Sequence, residues 1–481
     1  MTTTPGTIEP TAAPGPFEAD LAGFDRVLRQ AGDRSYCRTE RVPLADLDGW
    51  YSDPLTGWWH HCSGRFFSVE GLHVRLDAAP ASTWCQPIVN QPEVGILGIL
   101  IKQIDGATYC LMQFKAEPGN IGGIQLSPTV QATRSNYTGV HGGSAVPYLD
   151  YFRDAAPSRV LADVRQSEQG AWFLRKRNRN IIVSTDDDVP VHDGFCWLSV
   201  DQLLRLMRRP DLVNMDTRTV LSLLPWVAAT TAAAVTQDRR PAGQDEVWSR
   251  VLRRECALAV SRHEDREIQN WITDVRTRID LAATPAPMRA LTGWQRDDAG
   301  IRHETGAFFE VIGVGVESAG REVAQWSQPM LATREDGVVA FLITRIDGVL
   351  HALLHLRSEP GLTDVAELAP TVQCIPGNYT FLPEAARPPF LDTILNAAPT
   401  SIRFDTTLSD EGGRFYRISN RHLIVETDTI HTHPDYRWMS VRQLAELLRH
   451  SHYLNVQARG LLVCLFSVLA GTVPDGTASG G

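Results

Sequence analysis

At 481 residues the chain is long enough for two to four domains, and 43% apolar with 21% charged residues is the make-up of a soluble globular protein. A net charge of −10 argues against nonspecific binding to nucleic acid or to an anionic membrane surface, although a local Arg/Lys pocket can still hold a small anion. The eight cysteines are scattered without short ligand spacings, which reads as free thiols in a reducing cytoplasm, with neither disulfides nor a zinc site.

Taken in chain order, residues 1–16 lack a basic and an apolar region and read as a disordered arm, not a signal peptide. A first domain is expected over 17–236. Its clearest element is the run from Gly95 to Glu117, two apolar segments around Asp105-Gly106, a hairpin signature. A long polar loop follows, then a strand in the stretch 173–185, then Ser199-Val-Asp-Gln-Leu203, the start of a capped amphipathic helix. The apolar stretches Val220–Val235 and Gly460–Gly471 read as buried helices: Pro225 interrupts the first, and the second is too short for a bilayer. Residues 237–283 carry apolar residues at helical spacing and read as a helical connector. A second domain is expected over 284–470, and 471–481 reads as a disordered tail.

The second domain repeats the first. Trp84 to Tyr137 aligns with Trp326 to Tyr379 at a constant offset of 242, and 21 of the 54 positions are identical. Glu117-Pro118-Gly119 recurs at 359–361, Pro128-Thr-Val-Gln131 at 370–373, and Asn136-Tyr137 at 378–379. With one deletion the register runs on to Asn214/Asn455 and Arg218/Arg459. A repeat this long is a gene duplication, and it predicts an α+β protein of two similar tandem domains.

Chemistry is expected in the loop 115–143, where Lys115, Glu117, Asn120, Ser127, Thr129, Gln131, Arg134, Asn136, Tyr137 and His141 gather donors, acceptors and an aromatic face. The plainer alternative is that Pro118, Gly119 and Pro128 only shape turns and that Thr129 and Gln131 only satisfy backbone groups. Copy two has Arg357, Leu362, Ala369 and Pro376 in place of Lys115, Asn120, Ser127 and Arg134. The catalytic pocket is therefore expected in copy one. A second, degenerate or merely binding pocket is expected around Trp326, Arg357, Glu359, Thr371, Gln373, Asn378 and Tyr379. No sequence motif calls for a metal or a nicotinamide cofactor.

The phrases WCQPIVNQPEVGILG, KAEPGN and LSPTVQATRSNY, with the echo ELAPTVQC, resemble the NDP-hexose 2,3-dehydratases of antibiotic deoxysugar pathways. That resemblance implies a duplicated Nudix-like domain (a mixed sheet flanked by helices) and a homodimer. The acidic Nudix box is absent from the sequence. It also implies a β-elimination on dTDP-4-keto-6-deoxy-D-glucose, with no cofactor and with a 3-ketoreductase downstream. Within that scheme Glu117 is the expected base. Tyr137 or His141 protonates the leaving hydroxyl, and Lys115 stabilises the enolate or helps the base. Arg134, Arg177 and Arg179 are candidates for the diphosphate, Trp58 and Trp84 for stacking on thymine, and Gln86 for a further substrate contact. A diphosphate hydrolase and a non-catalytic nucleotide-binding protein are the alternatives.

Overall fold

The computed structural model describes residues 21–77, 83–134, 145–235, 247–319 and 323–471; of 230–235 only the backbone is described. Its centre is a pair of equivalent seven-stranded mixed sheets. In the first, strands Gly95–Ile104 and Ala107–Ala116 form the expected hairpin, with Asp105 and Gly106 at φ 50° and 83° closing the tight turn. Asp347 and Gly348, at 52° and 80°, close its copy. Strand Arg177–Ser184 runs parallel to Gly95–Ile104 while its neighbours are antiparallel, and Ser419–Glu426 does the same beside Gly337–Ile346. The two sheets match strand for strand, down to a bulge at Val160/Ala162 and at Ile402/Phe404.

Helices fill the space between these sheets. Ser199 and Ser440 each cap a helix through a reciprocal box with Gln202 and Gln443, which fixes where the chain leaves the last strand. Helix Val456–Gly471 is apolar on all sides because it is buried on all sides, in a core shared by Ile99, Met112 and Ile182 of the first half and Phe341, Leu354 and Ile424 of the second. No helix among the described residues is long and apolar enough to cross a membrane.

Two five-stranded sheets sit beside this core, and each is built from both halves. Strand Tyr36–Val42 of copy one pairs along its whole length with Glu310–Ala319 of copy two. In return Leu281–Ala286, which opens copy two, pairs with Ser68–Leu76 of copy one. The duplicated halves have exchanged their first strands. Trp59, Phe67 and Phe173 accordingly share one core cluster with Phe309, Leu331 and Phe415.

The same reciprocity governs the buried arginines. Arg218 donates to the carbonyl oxygens of Val213 and, across the halves, Ser409, both at 2.7 Å. Arg459, with 0% of its surface exposed, donates to those of Leu454 and, across the halves, Ser167, both at 2.6 Å. Each guanidinium bonds carbonyls of both halves, so these contacts tie the halves together.

Candidate active site

Strand Ala107–Ala116 delivers Lys115 and then turns at Glu117-Pro118-Gly119. Gly119 allows the turn to press on the other half. Its N–H donates to the Gly412 carbonyl at 2.7 Å, its own carbonyl accepts from the Arg417 N–H at 3.0 Å, and a Cβ here would lie 1.7 Å from the Phe415 carbonyl oxygen. The Glu117 carboxylate, 8% exposed, lies 3.4 Å from Lys115 Nζ and accepts from Gln131 Nε2 at 3.1 Å. Gln131 Oε1 accepts from Ser127 Oγ at 2.5 Å and from Asn214 Nδ2 at 3.1 Å. Asn214 caps the helix Met215–Leu221 through its Oδ1, which ties that helix to the Glu117 network. Asn120 donates to the carbonyls of Lys115 and Gly123 and closes the turn.

Around this core lie charged residues that sequence reasoning passed over. Asp216 is 5% exposed and makes no side-chain hydrogen bond among the described residues. Burial, then the negative charges of Glu168, Glu117 and Glu411, hold its carboxyl well above the usual carboxylate range, with Lys115 opposing. Glu411 comes from the second half, where its carboxylate accepts from the backbone N–H groups of Gly413 and Arg414. Burial and then the neighbouring Glu117 charge push it up to about 7. Lys176 donates to the Glu93 carbonyl, and burial lowers its ammonium to about 8 although Glu168 opposes the shift. Arg414 reaches Gln91 at 3.2 Å and lies 4.1 Å over the Phe67 ring.

The second half repeats the scaffold of this site with other chemistry around it. Glu359 accepts from Arg357 Nε at 2.9 Å and from Gln373 Nε2 at 3.1 Å, and Asn455 donates to Gln373 at 2.8 Å. Its turn presses on the first half in the same way, Gly361 N–H donating to the Gly170 carbonyl at 2.7 Å. Tyr379 lies against Arg357. At the positions of Asp216, Glu411, Lys176 and Arg414, however, stand Gln457, Gln169, Ile418 and Trp172. That contrast was present in the sequence, outside the 115–143 loop.

The other expected residues distribute as follows. Lys115, Glu117, Asn120, Ser127 and Gln131 come together; Asn136, Tyr137 and His141 lie outside the described residues. Arg134 is exposed at the edge of the described stretch. Thr129 and Thr371 do not offer their hydroxyls to a ligand. Each is buried and bridges two strands, donating to the carbonyl of Leu111 or Leu353 and accepting from the N–H of Leu100 or Leu342.

Trp84 and Gln86 stand apart from Glu117. Trp84 donates to Gln86, and Gln86 donates to the Ala171 carbonyl at 2.7 Å, behind the turn that walls the second pocket. Trp326 and Gln328 hold Gly413 in the same manner, behind the turn that walls the first. The strand exchange explains this crossing, because each half supplies a wall to the other's site. Trp58 donates to Ala286 of the exchanged strand and packs in the core between the halves. Arg179 forms a two-pronged pair with Asp163, which Arg421 and Asp405 repeat, so this arginine braces its sheet. Arg177 has a buried Nε without a hydrogen-bond partner among the described residues and neighbours Arg165 and Arg175, on the side of the second pocket's Gly361 turn. Asn378 accepts from the Phe308 N–H at 2.8 Å and shapes a groove of its own half.

This two-site arrangement coincides with two matched stretches, residues 21–224 and 265–465, of the family model described as NDP-hexose 2,3-dehydratase. The chain belongs to the NDP-hexose 2,3-dehydratase family. A family relative from Saccharopolyspora spinosa, named dTDP-4-dehydro-6-deoxy-alpha-D-glucopyranose 2,3-dehydratase, is 47% identical over 442 residues, covering 91% of this chain and 90% of the relative. Relatives of the same name from Amycolatopsis orientalis and Streptomyces violaceoruber are 44% and 46% identical, over 92% and 96% of this chain and 89% and 99% of their own lengths. Both halves of the duplicated NDP-hexose 2,3-dehydratase chain fall within these matches.

Proposed function

We propose that the chain removes water across C2 and C3 of dTDP-4-keto-6-deoxy-D-glucose, giving a 3,4-diketo-2,6-dideoxy sugar nucleotide. The observation that carries this reading is the likeness, along nearly the whole chain, to three dehydratases of that name. The chemistry fits the first site. The C4 ketone acidifies the C3 proton, Glu117 takes it, and Lys115 beside Glu117 offers positive charge to the enolate oxygen. The C2 hydroxyl then leaves, and the enol tautomerises.

Tyr137 and His141 remain candidates near the leaving group. The copy of Tyr137, Tyr379, lies against Arg357, the counterpart of Lys115. In the same reading each half is a Nudix-like unit that has no acidic box, and the chain works in the cytoplasm as a homodimer ahead of a 3-ketoreductase, in an antibiotic deoxysugar pathway.

Incubation of the protein with dTDP-4-keto-6-deoxyglucose, with o-phenylenediamine to trap a diketone, tests the reading directly. A substrate-dependent adduct with the mass of one lost water supports it. Intact substrate after prolonged incubation removes it.

A further inference from the structure

A hydroxide is a poor leaving group, so an elimination of this kind needs a proton delivered to the C2 oxygen as the C–O bond breaks. The donor must be protonated at neutral pH and must sit beside a base that is not. Two carboxyl groups whose surroundings separate their proton affinities meet that need.

Resting on the dehydration reading, we propose that Asp216 is the catalytic acid that protonates the departing C2 hydroxyl. Three observations converge on it. Its helix begins at Asn214, which binds Gln131, which in turn binds Glu117, so one run of hydrogen bonds sets the acid relative to the base. The carboxyl of Asp216 is nearly enclosed and makes no hydrogen bond among the described residues, whereas Glu117 lies 3.4 Å from Lys115 Nζ and accepts from Gln131 Nε2 at 3.1 Å, partners that suit a carboxylate. Finally, the second half keeps the glutamate, its cation, its glutamine and its asparagine, as Glu359, Arg357, Gln373 and Asn455, but Gln457 stands where Asp216 would be. An amide has no carboxyl proton to give. The recurrence of Glu117 as Glu359 is thereby reconciled with a catalytic role for Glu117.

The step balances without a co-reactant. Glu117 accepts the C3 proton, the C3–H electron pair becomes the enolate, and the enolate expels the C2 oxygen. That oxygen takes the Asp216 proton and leaves as water, and the two carboxyl groups return to their starting states by exchange with solvent.

Asp216→Asn is the test, read with two substrates and an exchange assay. Against the natural substrate, dehydration should fall by about 10²–10⁴-fold, the range for loss of one general acid. Exchange of the C3 proton with D₂O should persist, since the base is intact. Release of fluoride from the 2-fluoro analogue, whose leaving group needs little protonation, should stay within a few-fold of the unsubstituted enzyme. Near-normal dehydration in D216N would overturn the proposal while leaving the dehydratase reading untouched, and so would joint loss of exchange and of dTDP binding.

A measurement on the unsubstituted enzyme is independent of how the variant folds. Among the described residues the charged groups acting on Asp216 include Glu117, Lys115, Glu168, Glu411, Arg218 and Arg459. A general acid works only while protonated, so kcat for the hydroxyl substrate should fall at alkaline pH and kcat for the fluoro analogue should not. Parallel profiles for the two substrates would count against Asp216.

Discussion

The two pockets are built on one scaffold, and what separates them shows which residues serve the fold. Both keep a glutamate after the central hairpin, a cation two residues before it, a glutamine that binds it and an asparagine that caps a helix. In the first pocket this frame is surrounded by Asp216, Glu411, Lys176 and Arg414. In the second the same positions hold two amides, an isoleucine and a tryptophan. Lys176 and Ile418 show the difference most simply, because a buried ammonium is costly and is retained only where a charge has a use. The frame is common to both halves, and the buried charged groups around it are present in one.

The two glutamates should differ most when each loses its charge. Glu117→Gln should lower kcat by about 10²–10⁴-fold with dTDP still bound. Glu359→Gln should leave kcat nearly unchanged and cost about 1–3 kcal/mol of stability in denaturant unfolding, because the buried Arg357 loses the negative charge of its partner. Equal loss of turnover in both variants would make the pockets equivalent. Next come the glycines of the two turns. Gly119→Ala and Gly361→Ala each drive a methyl to within 1.8 Å of a carbonyl of the opposite half, and each should destabilise by about 3 kcal/mol or more. Only Gly119→Ala should also change KM and kcat.

Smaller, and symmetric, is the effect of Thr129→Val and Thr371→Val. Each should cost about 2 kcal/mol by leaving a buried N–H and a carbonyl without a partner, with kcat unchanged. The smallest expected effect is a change of pH profile. Glu411, pushed up to about 7, gains its charge as pH rises through that value. The added charge beside Glu117 and Asp216, with Arg414 and Lys176 nearby, strengthens the base and keeps the acid protonated, so kcat should rise several-fold through neutrality. In Glu411→Gln that inflection should vanish.

How much of this was legible depends on the range of the interactions. The hairpins around Asp105-Gly106 and Asp347-Gly348 and the Ser199 and Ser440 caps could be read because each is set by residues a few positions apart. The buried helix Val456–Gly471 could be read because it is apolar on every side. The exchange of Tyr36–Val42 and Leu281–Ala286 could not, since a strand's own pattern does not say which of two similar sheets it joins.

The site divides along the same line. Lys115, Glu117, Gln131 and Ser127 cluster within one loop and its strands, whereas Asp216 and Glu411 arrive from distant segments. Thr129 drew attention as a loop hydroxyl because its sheet partners, Leu100 and Leu111, are not visible from its neighbours. Trp84 and Gln86 read as residues of their own half's pocket, because nothing local reveals that they brace the wall of the other one.

The exchanged strands carry a consequence for how such a molecule can change. In a symmetric pair of identical subunits every substitution appears twice, so neither site can specialise without the other following. Here the two partners are written into one polypeptide, and each is held at the other's sheet edge by Tyr36–Val42 and Leu281–Ala286. One partner is then free to drift chemically while it remains indispensable as a wall. Severing the chain between Val235 and Val247 should accordingly yield two fragments that stay associated and active together, and neither should survive alone.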